Sequence, residues 1–334
     1  MYIYCKRISM RLIIDCDPGN GIAGANVDDG LALALAIAAP QISLELISTV
    51  AGNTPSEIGY SVAKSLLQRL GEDIPVIRGA SHGLLEPIAA WREKLDYGVD
   101  HNGLRHLWKD TIPPKLFPLE ELSAVQSIGE LVCDNPGEVT LVAIGPLTNI
   151  ANVIQLYPDF PESVAEIVIM GGVFNVSGYQ KDTNFGIDPE AAHIVLTSGA
   201  NITLVPMDVT TQTQMLHSDL DYLSTFDNPL CEFLVETIRP WMNYSIETRG
   251  LKGCWIHDAL TVVWLIDRTI ATSTQGYVDV VLEGKNRGMT FCYEPDSSNL
   301  DKNTLSKKIN SITILNTVNS KKFLSILLGH IQNY

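Results

Sequence analysis

Short apolar runs alternate with longer helical patterns over the first two-thirds of the chain. Residues 11–15 (RLIID) form a strand-like run ending in acid, and residues 29–39 (DGLALALAIAA) follow as an alanine- and leucine-rich helix. Residues 42–50 are β-branched and strand-like, and residues 55–70 read as a helix starting after a turn. The alternation continues with a strand at 139–144, a helix at 145–157, a strand at 166–170, a helix at 189–197 and a strand at 202–205. Strands that are apolar throughout and separated by helices are covered on both faces, as in a parallel sheet. The last third differs. Residues 228–247 and 257–267 look helical, 277–283 and 288–293 read as a β-hairpin around Gly-Lys-Asn-Arg-Gly, and 311–318 as a final strand before a closing helix. The expected fold is α/β: an open, mostly parallel sheet flanked by helices on both faces, with a small β-hairpin addition near the C-terminus. No internal repeat or low-complexity linker interrupts it, so residues 1–334 are expected to form a single domain.

Composition narrows the partners. The formal net charge is −15, and a surface that acidic does not suit a nucleic acid, whose phosphates need stripes of Lys and Arg. A small neutral ligand or a bound cation remains compatible. The six cysteines, Cys5, Cys16, Cys133, Cys231, Cys254 and Cys292, show no metal-binding spacing and are expected to be reduced and mostly buried. No apolar signal core precedes the first strand and no run reaches about 18 apolar residues, so neither a signal peptide nor a membrane span is expected, and a cytoplasmic location follows.

The most informative segment is IIDCDPGNGIAGANVDDGLAL, which places Asp15, Asp17, Asp28 and Asp29 at the end of the first strand. An Asp after a strand commonly caps the next helix, and Asp28 fits that role. A cap does not account for four acids. Like charges packed together are unfavourable unless a proton or cation sits among them, and carboxylate oxygens suit hard cations. An EF-hand loop counted from Asp15 fails, because its fifth and twelfth positions are Gly19 and Asn26. A strand followed by Asp-x-Asp is also found in haloacid-dehalogenase phosphatases, which usually carry Thr or Val where this chain has Gly19. That phosphatase is the alternative reading.

The segment resembles the opening of the nucleoside hydrolases, a strand followed by Asp-x-Asp-Pro-Gly-x-Asp-Asp. Here it reads Asp15-Cys16-Asp17-Pro18-Gly19 and then Asp28-Asp29, with eight residues, 20–27, where that family usually has one. Further blocks follow in the family's order: Val50-Ala51-Gly52-Asn53, Ala143 to Asn149 (AIGPLTN), Met170-Gly171-Gly172, Asn184 to Ala192 (NFGIDPEAA) and His257-Asp258-Ala259. The resemblance spans about residues 11–268.

It implies hydrolysis of the N-glycosidic bond of ribonucleosides by a water activated by calcium, with inversion at the sugar carbon. Asp17 would be the general base and touch the metal; Asp29, Asp258 and the backbone carbonyl of Ile144 would complete the metal set. Asp15 would hold those ligands in place. Asp28 would accept from the 2′-hydroxyl, Asn53 and Asn184 would hold ribose hydroxyls, and Asp182 stands where the family commonly has Glu. His257 would protonate the leaving base. Trp241 and Tyr244 are expected to line the base pocket. His82, His101 and Asn102 are read as lying in the loop after the third strand region, without an assigned role. The family is usually dimeric or tetrameric. A binding protein that had lost catalysis is a further alternative, disfavoured by the presence of both proton-transfer candidates, Asp17 and His257.

Overall fold

The fold was obtained as a computed structural model that describes residues 9–85, 89–293 and 311–334. The strands are β1 (Met10–Cys16), β2 (Ile42–Thr49), β3 (Val76–Arg78), β4 (Val139–Ala143), β5 (Glu166–Met170), β6 (Ile202–Val205), β7 (Gln214–Met215), β8 (Cys254–Trp255), β9 (Ala271–Val280), β10 (Thr290–Tyr293) and β11 (Ile312–Val318). Nine of them form one sheet in the order β10-β9-β11-β6-β5-β4-β1-β2-β3. From β11 to β3 every neighbour pair is parallel, while β9 runs antiparallel to β11 and β10 antiparallel to β9. The expected hairpin is therefore the edge of the main sheet, and its first strand begins six residues earlier than position 277, at Ala271. The residues before 277 pair with β11, a long-range partner that hairpin spacing cannot reveal.

Successive residues of a strand point to opposite faces, and β1 shows it. Leu12, Ile14 and Cys16 enter one apolar core with the helices Asp28–Ala38, Ser56–Leu70, Pro229–Arg249, Ala259–Ile266 and Ser320–Ile331. Ile13 enters the other, with the helices Ala124–Cys133, Thr148–Leu156 and Pro189–Leu196. Both faces are thus covered, which is why the strands read as unbroken apolar runs.

Two helix starts differ from expectation by more than one residue, and both differences build the site. The helix expected from 145 begins at Thr148, because Gly145-Pro146-Leu147 make a turn and a proline disfavours helix in the residue before it. The helix expected from 257 begins at Ala259. Ahead of it, the backbone N–H of His257 and that of Asp258 both donate to Asp28 Oδ2, at 2.9 and 3.4 Å. Asp28 is accordingly the first residue of its own helix and not a cap, and it anchors a segment far along the chain. His101 closes the helix Ala89–His101 and does not sit in a loop. The free cysteines Cys16, Cys231 and Cys254 are buried, Cys133 is half-buried and Cys292 exposed; Cys5 lies outside the described residues. No helix among the described residues is long and apolar enough to cross a membrane.

Candidate active site

The carboxyl edge of an open α/β sheet is where ligands bind, and here it carries the acids. Asp15 lies one residue before the end of β1, and Asp28 and Asp29 open the first turn of the helix Asp28–Ala38, whose N-terminal dipole favours negative charge. Asp258 stands just before the helix Ala259–Ile266. One carboxylate oxygen from each of Asp28, Asp29 and Asp258 falls within 4.8 Å of the others, and all three residues are buried. Asp28 Oδ1 has no hydrogen-bond partner although it is buried. Burial first, then the charges of Asp17 and Asp28, pushes the Asp29 carboxyl well above the ordinary range; burial and then Asp28 and Asp29 do the same to Asp258.

Asp17 joins this group through Asn53. The Asn53 amide Nδ2 donates to Asp17 Oδ1 at 3.3 Å and to Asp29 Oδ2 at 3.2 Å, and the Asn53 backbone N–H donates to Asp17 Oδ2 at 2.6 Å. The Asp17 N–H in turn donates to Asp29 Oδ1 at 2.9 Å. The eight extra residues 20–27 therefore leave the two acidic pairs together. The glycines of the sequence blocks make the room: a Cβ on Gly52 would fall 1.6 Å from Asp17 Oδ2, and one on Gly145 would fall 2.6 Å from Val50 Cγ1.

Asp15 lies behind the cluster. Its Oδ1 accepts from Ser48 Oγ at 2.5 Å and Asn149 Nδ2 at 2.7 Å, while burial pushes its carboxyl up to about 7. Asn149, from the AIGPLTN block, also accepts from the Ala80 N–H at 2.8 Å, tying β1 to the loop after β3.

Beside the acids opens a cleft of about 980 Å³, lined among others by Asp28, Asn53, Ile144, Asp182, Asn184, Trp241, Tyr244, His257 and Asp258. The Ile144 carbonyl accepts from Asn184 Nδ2 at 2.8 Å, as does the Met170 carbonyl at 3.1 Å. Asp182 caps the helix Thr183–Ile187 through Oδ1, leaving Oδ2 buried and unpartnered, and burial raises its carboxyl to about 6. His257 is buried with Nδ1 2.7 Å from Thr210 Oγ1 and its ring 5.9 Å from that of Trp255. Burial lowers its pKa, so the ring is held neutral more readily than a free imidazole. Trp241 stacks on Tyr244 at 5.6 Å, and Tyr244 leans on Trp108 at 5.7 Å.

The cleft also collects residues that no motif announces: Gly24 and Asn26 from the extra segment, Leu95, Tyr179, Arg249 and Trp255. The aromatic character of Tyr179 and Trp255, which meet edge to face at 6.1 Å, is the one signal that composition offered. Neither His82 nor His101 lines the cleft; His82 Nδ1 sits 2.9 Å from the neighbouring Gly83 carbonyl. Asn102 reaches Tyr244 Oη at 3.4 Å from behind.

An acid cluster at the carboxyl edge, amide and carboxylate groups along one wall and a buried histidine beside aromatics define a hydrolase acting on a glycosidic bond. The chain belongs to the inosine-uridine preferring nucleoside hydrolase family, whose model matches residues 12–325, and it is an N-glycosyl hydrolase. It is 33% identical over 287 residues to a probable uridine nucleosidase 2 of Arabidopsis thaliana, covering 85% of each chain. It is 30% identical over 333 residues to a pyrimidine-specific ribonucleoside hydrolase RihA of Salmonella arizonae, covering 98% of this chain and 100% of the other. Its fold superposes on a plant nucleoside hydrolase with a TM-score of 0.83 at 28% identity, covering 97% of this chain and 99% of the other.

Proposed function

We propose that this protein hydrolyses ribonucleosides to free base and ribose, using calcium as its cation, with inversion at the anomeric carbon. The observation that carries the reading is the meeting of the buried acids Asp28, Asp29 and Asp258 within 4.8 Å, with Asp28 and Asp258 lining the cleft. Such a cluster fits a hard divalent cation: the donors are all oxygens, one of them is an unpartnered buried oxygen of Asp28, and no Lys or Arg pairs with these three acids among the described residues. Asp17, Asp29, Asp258 and the Ile144 carbonyl would hold it, with Asp28 alongside. When bound, calcium supplies a Lewis acid that makes a water more acidic and orients it.

The chain's own groups do the rest. Asp17 takes the proton of the attacking water on its carboxylate, which Asn53 holds from two sides. Attack on the face opposite the base inverts the sugar carbon. Asp28, Asn53, Asp182 and Asn184 take the ribose hydroxyls, and the nearby carboxylates stabilise the positive charge that grows on the sugar. Trp241 and Tyr244 flank the base, and His257 delivers the proton that lets it leave. A cytoplasmic location and a homodimer or homotetramer accompany this reading.

The test is release of free ribose from inosine, uridine, cytidine, adenosine and guanosine, with and without chelator. Ribonucleosides should be cleaved, the chelator should abolish cleavage, and 2′-deoxyribonucleosides should be rejected by large factors because they leave a buried acceptor unanswered. Cleavage of inosine and 2′-deoxyinosine with equal kcat/KM would remove the ribose assignments. Phosphate release from phosphorylated substrates with no ribose would remove the whole reading.

A further inference from the structure

Between the two acidic pairs lies segment 20–27, and its placement assigns a role that rests on the hydrolase reading above. We propose that Asn26 is a specificity-determining residue. It reads the edge of the nucleobase and favours bases presenting a carbonyl oxygen there over bases presenting an amino group.

The segment is tied to its surroundings at several points. Asn20 Nδ2 donates to Thr237 Oγ1 at 3.0 Å, fastening its start to the helix that carries Trp241 and Tyr244. Gly24 has φ +84°, a conformation that side chains rarely adopt, and a Cβ there would meet Val99 Cβ at 3.2 Å. At its far end the Asn26 carbonyl lies over Gly19, where a Cβ would be 2.3 Å away. Two internal backbone bonds, Ile22 N–H to the Gly19 carbonyl and Ala25 N–H to the Ile22 carbonyl, complete the turn. So held, Gly24 and Asn26 face the cleft together with Leu95, Trp241, Tyr244 and Arg249.

The orientation of the Asn26 amide follows from one bond. Its Oδ1 accepts from the Val27 N–H at 2.9 Å. Only the oxygen of an amide can answer an N–H, so Nδ2 is the other atom, and it donates to no described residue. The side chain therefore keeps both its donors unspent, while the Val27 N–H takes one of the two lone pairs of its oxygen. Arg249, whose guanidinium lies 5.2 Å above the Trp241 ring, is a donor only. Uracil and cytosine differ along one edge, a carbonyl oxygen at C4 beside a protonated N3 against an amino group beside a bare N3, and hypoxanthine and adenine differ in the same way at C6 and N1. A carbonyl answers the Nδ2 protons. An amino group places donor against donor and leaves both desolvated.

The experiment compares kcat/KM for uridine and cytidine in the wild type, in Asn26→Asp and in Asn26→Ala. The ratio cancels any loss common to both substrates. Asn26→Asp keeps the acceptor for Val27 and replaces the donor by an acceptor. The uridine-to-cytidine ratio should exceed one in the wild type, move toward one in Asn26→Ala, and fall by on the order of tenfold or more in Asn26→Asp. The same order is expected for inosine against adenosine. One ratio shared by all three proteins, or a rise in Asn26→Asp, overturns the proposal. If the wild type releases no ribose from any nucleoside, the hydrolase reading itself falls. If it does and the ratios stay fixed, the Asn26 assignment falls alone. Should Asn26→Asp fail to fold, the Asn26→Ala ratio decides.

Discussion

The two edges of the parallel sheet treat charge in opposite ways. At the amino edge Glu45, Glu138 and Glu166 each have a cation. Arg11, near the start of β1, donates to both oxygens of Glu45 at 2.7 and 2.9 Å and to Glu138 at 2.8 Å. Arg268 grips Glu166, the first residue of β5, at 2.5 and 3.0 Å. At the carboxyl edge Asp15, Asp28, Asp29 and Asp258 are buried with no Lys or Arg partner among the described residues. Paired charges at a surface contribute little, because their attraction is largely offset by the entropy of holding the side chains together. Unpaired buried charges destabilise the fold that holds them, and they persist where a ligand completes them. One edge is built to stay folded and the other to bind.

That contrast can be broken by experiment, most severely at Asp29. Asp29→Asn should lower turnover on the order of a thousandfold and remove the bound cation. In chelator it should melt no lower than the wild type, because one repelling charge has gone while the Asp17 N–H keeps an acceptor. Metal content, ribose release and a thermal melt read the three parts; full calcium occupancy in the variant would detach Asp29 from the site.

His257→Ala should slow nucleoside cleavage by about a hundredfold or more. It should slow a nitrophenyl riboside far less, since that leaving group departs without a proton. Equal losses on both substrates would make the ring a packing element of the Thr210 and Trp255 contacts.

At the amino edge the expected effects are smaller. Arg11→Ala should cost up to about 1 kcal/mol of stability, as partly exposed ion pairs do, with kcat and KM unchanged. A change in kcat would show that the two edges are coupled. Smallest is the acid response at Asp267, whose carboxyl is lowered to about 2, first by the Lys322 ammonium and then by Thr269. A depressed carboxylate stabilises the fold above its ordinary range, and that contribution is lost as pH falls from about 4 to about 2. Lys322→Ala should flatten the drop in melting temperature over that window.

The parallel core was legible because a strand buried on both faces leaves an unbroken apolar run, and β1, β4, β5 and β6 all do. The acids were legible because four carboxylates around one turn have few structural uses. β3, three residues long, and the two-residue pair β7 and β8 have no periodicity to read. The starts of the helices at Thr148 and Ala259 were hidden because a proline turn and two hydrogen bonds to Asp28 fix them, and the second acts across the whole chain. The aromatic end of the cleft was the least visible. Asn26, Leu95 and Arg249 come from three separate segments, and no spacing in the sequence brings them together.

The bond from the His257 N–H to Asp28 joins residues 229 positions apart. It gives the molecule an order of assembly. While the chain is being made, β1, β2 and the helix between them can gather early, but Asp28 and Asp29 wait for a segment that emerges late. Until Asp258 arrives the acid group lacks its third oxygen, and a truncated chain ending before it would display the first two carboxylates with nothing to bind. Ribose release thus reports more than chemistry: it registers that the last third of the polypeptide has closed over the first.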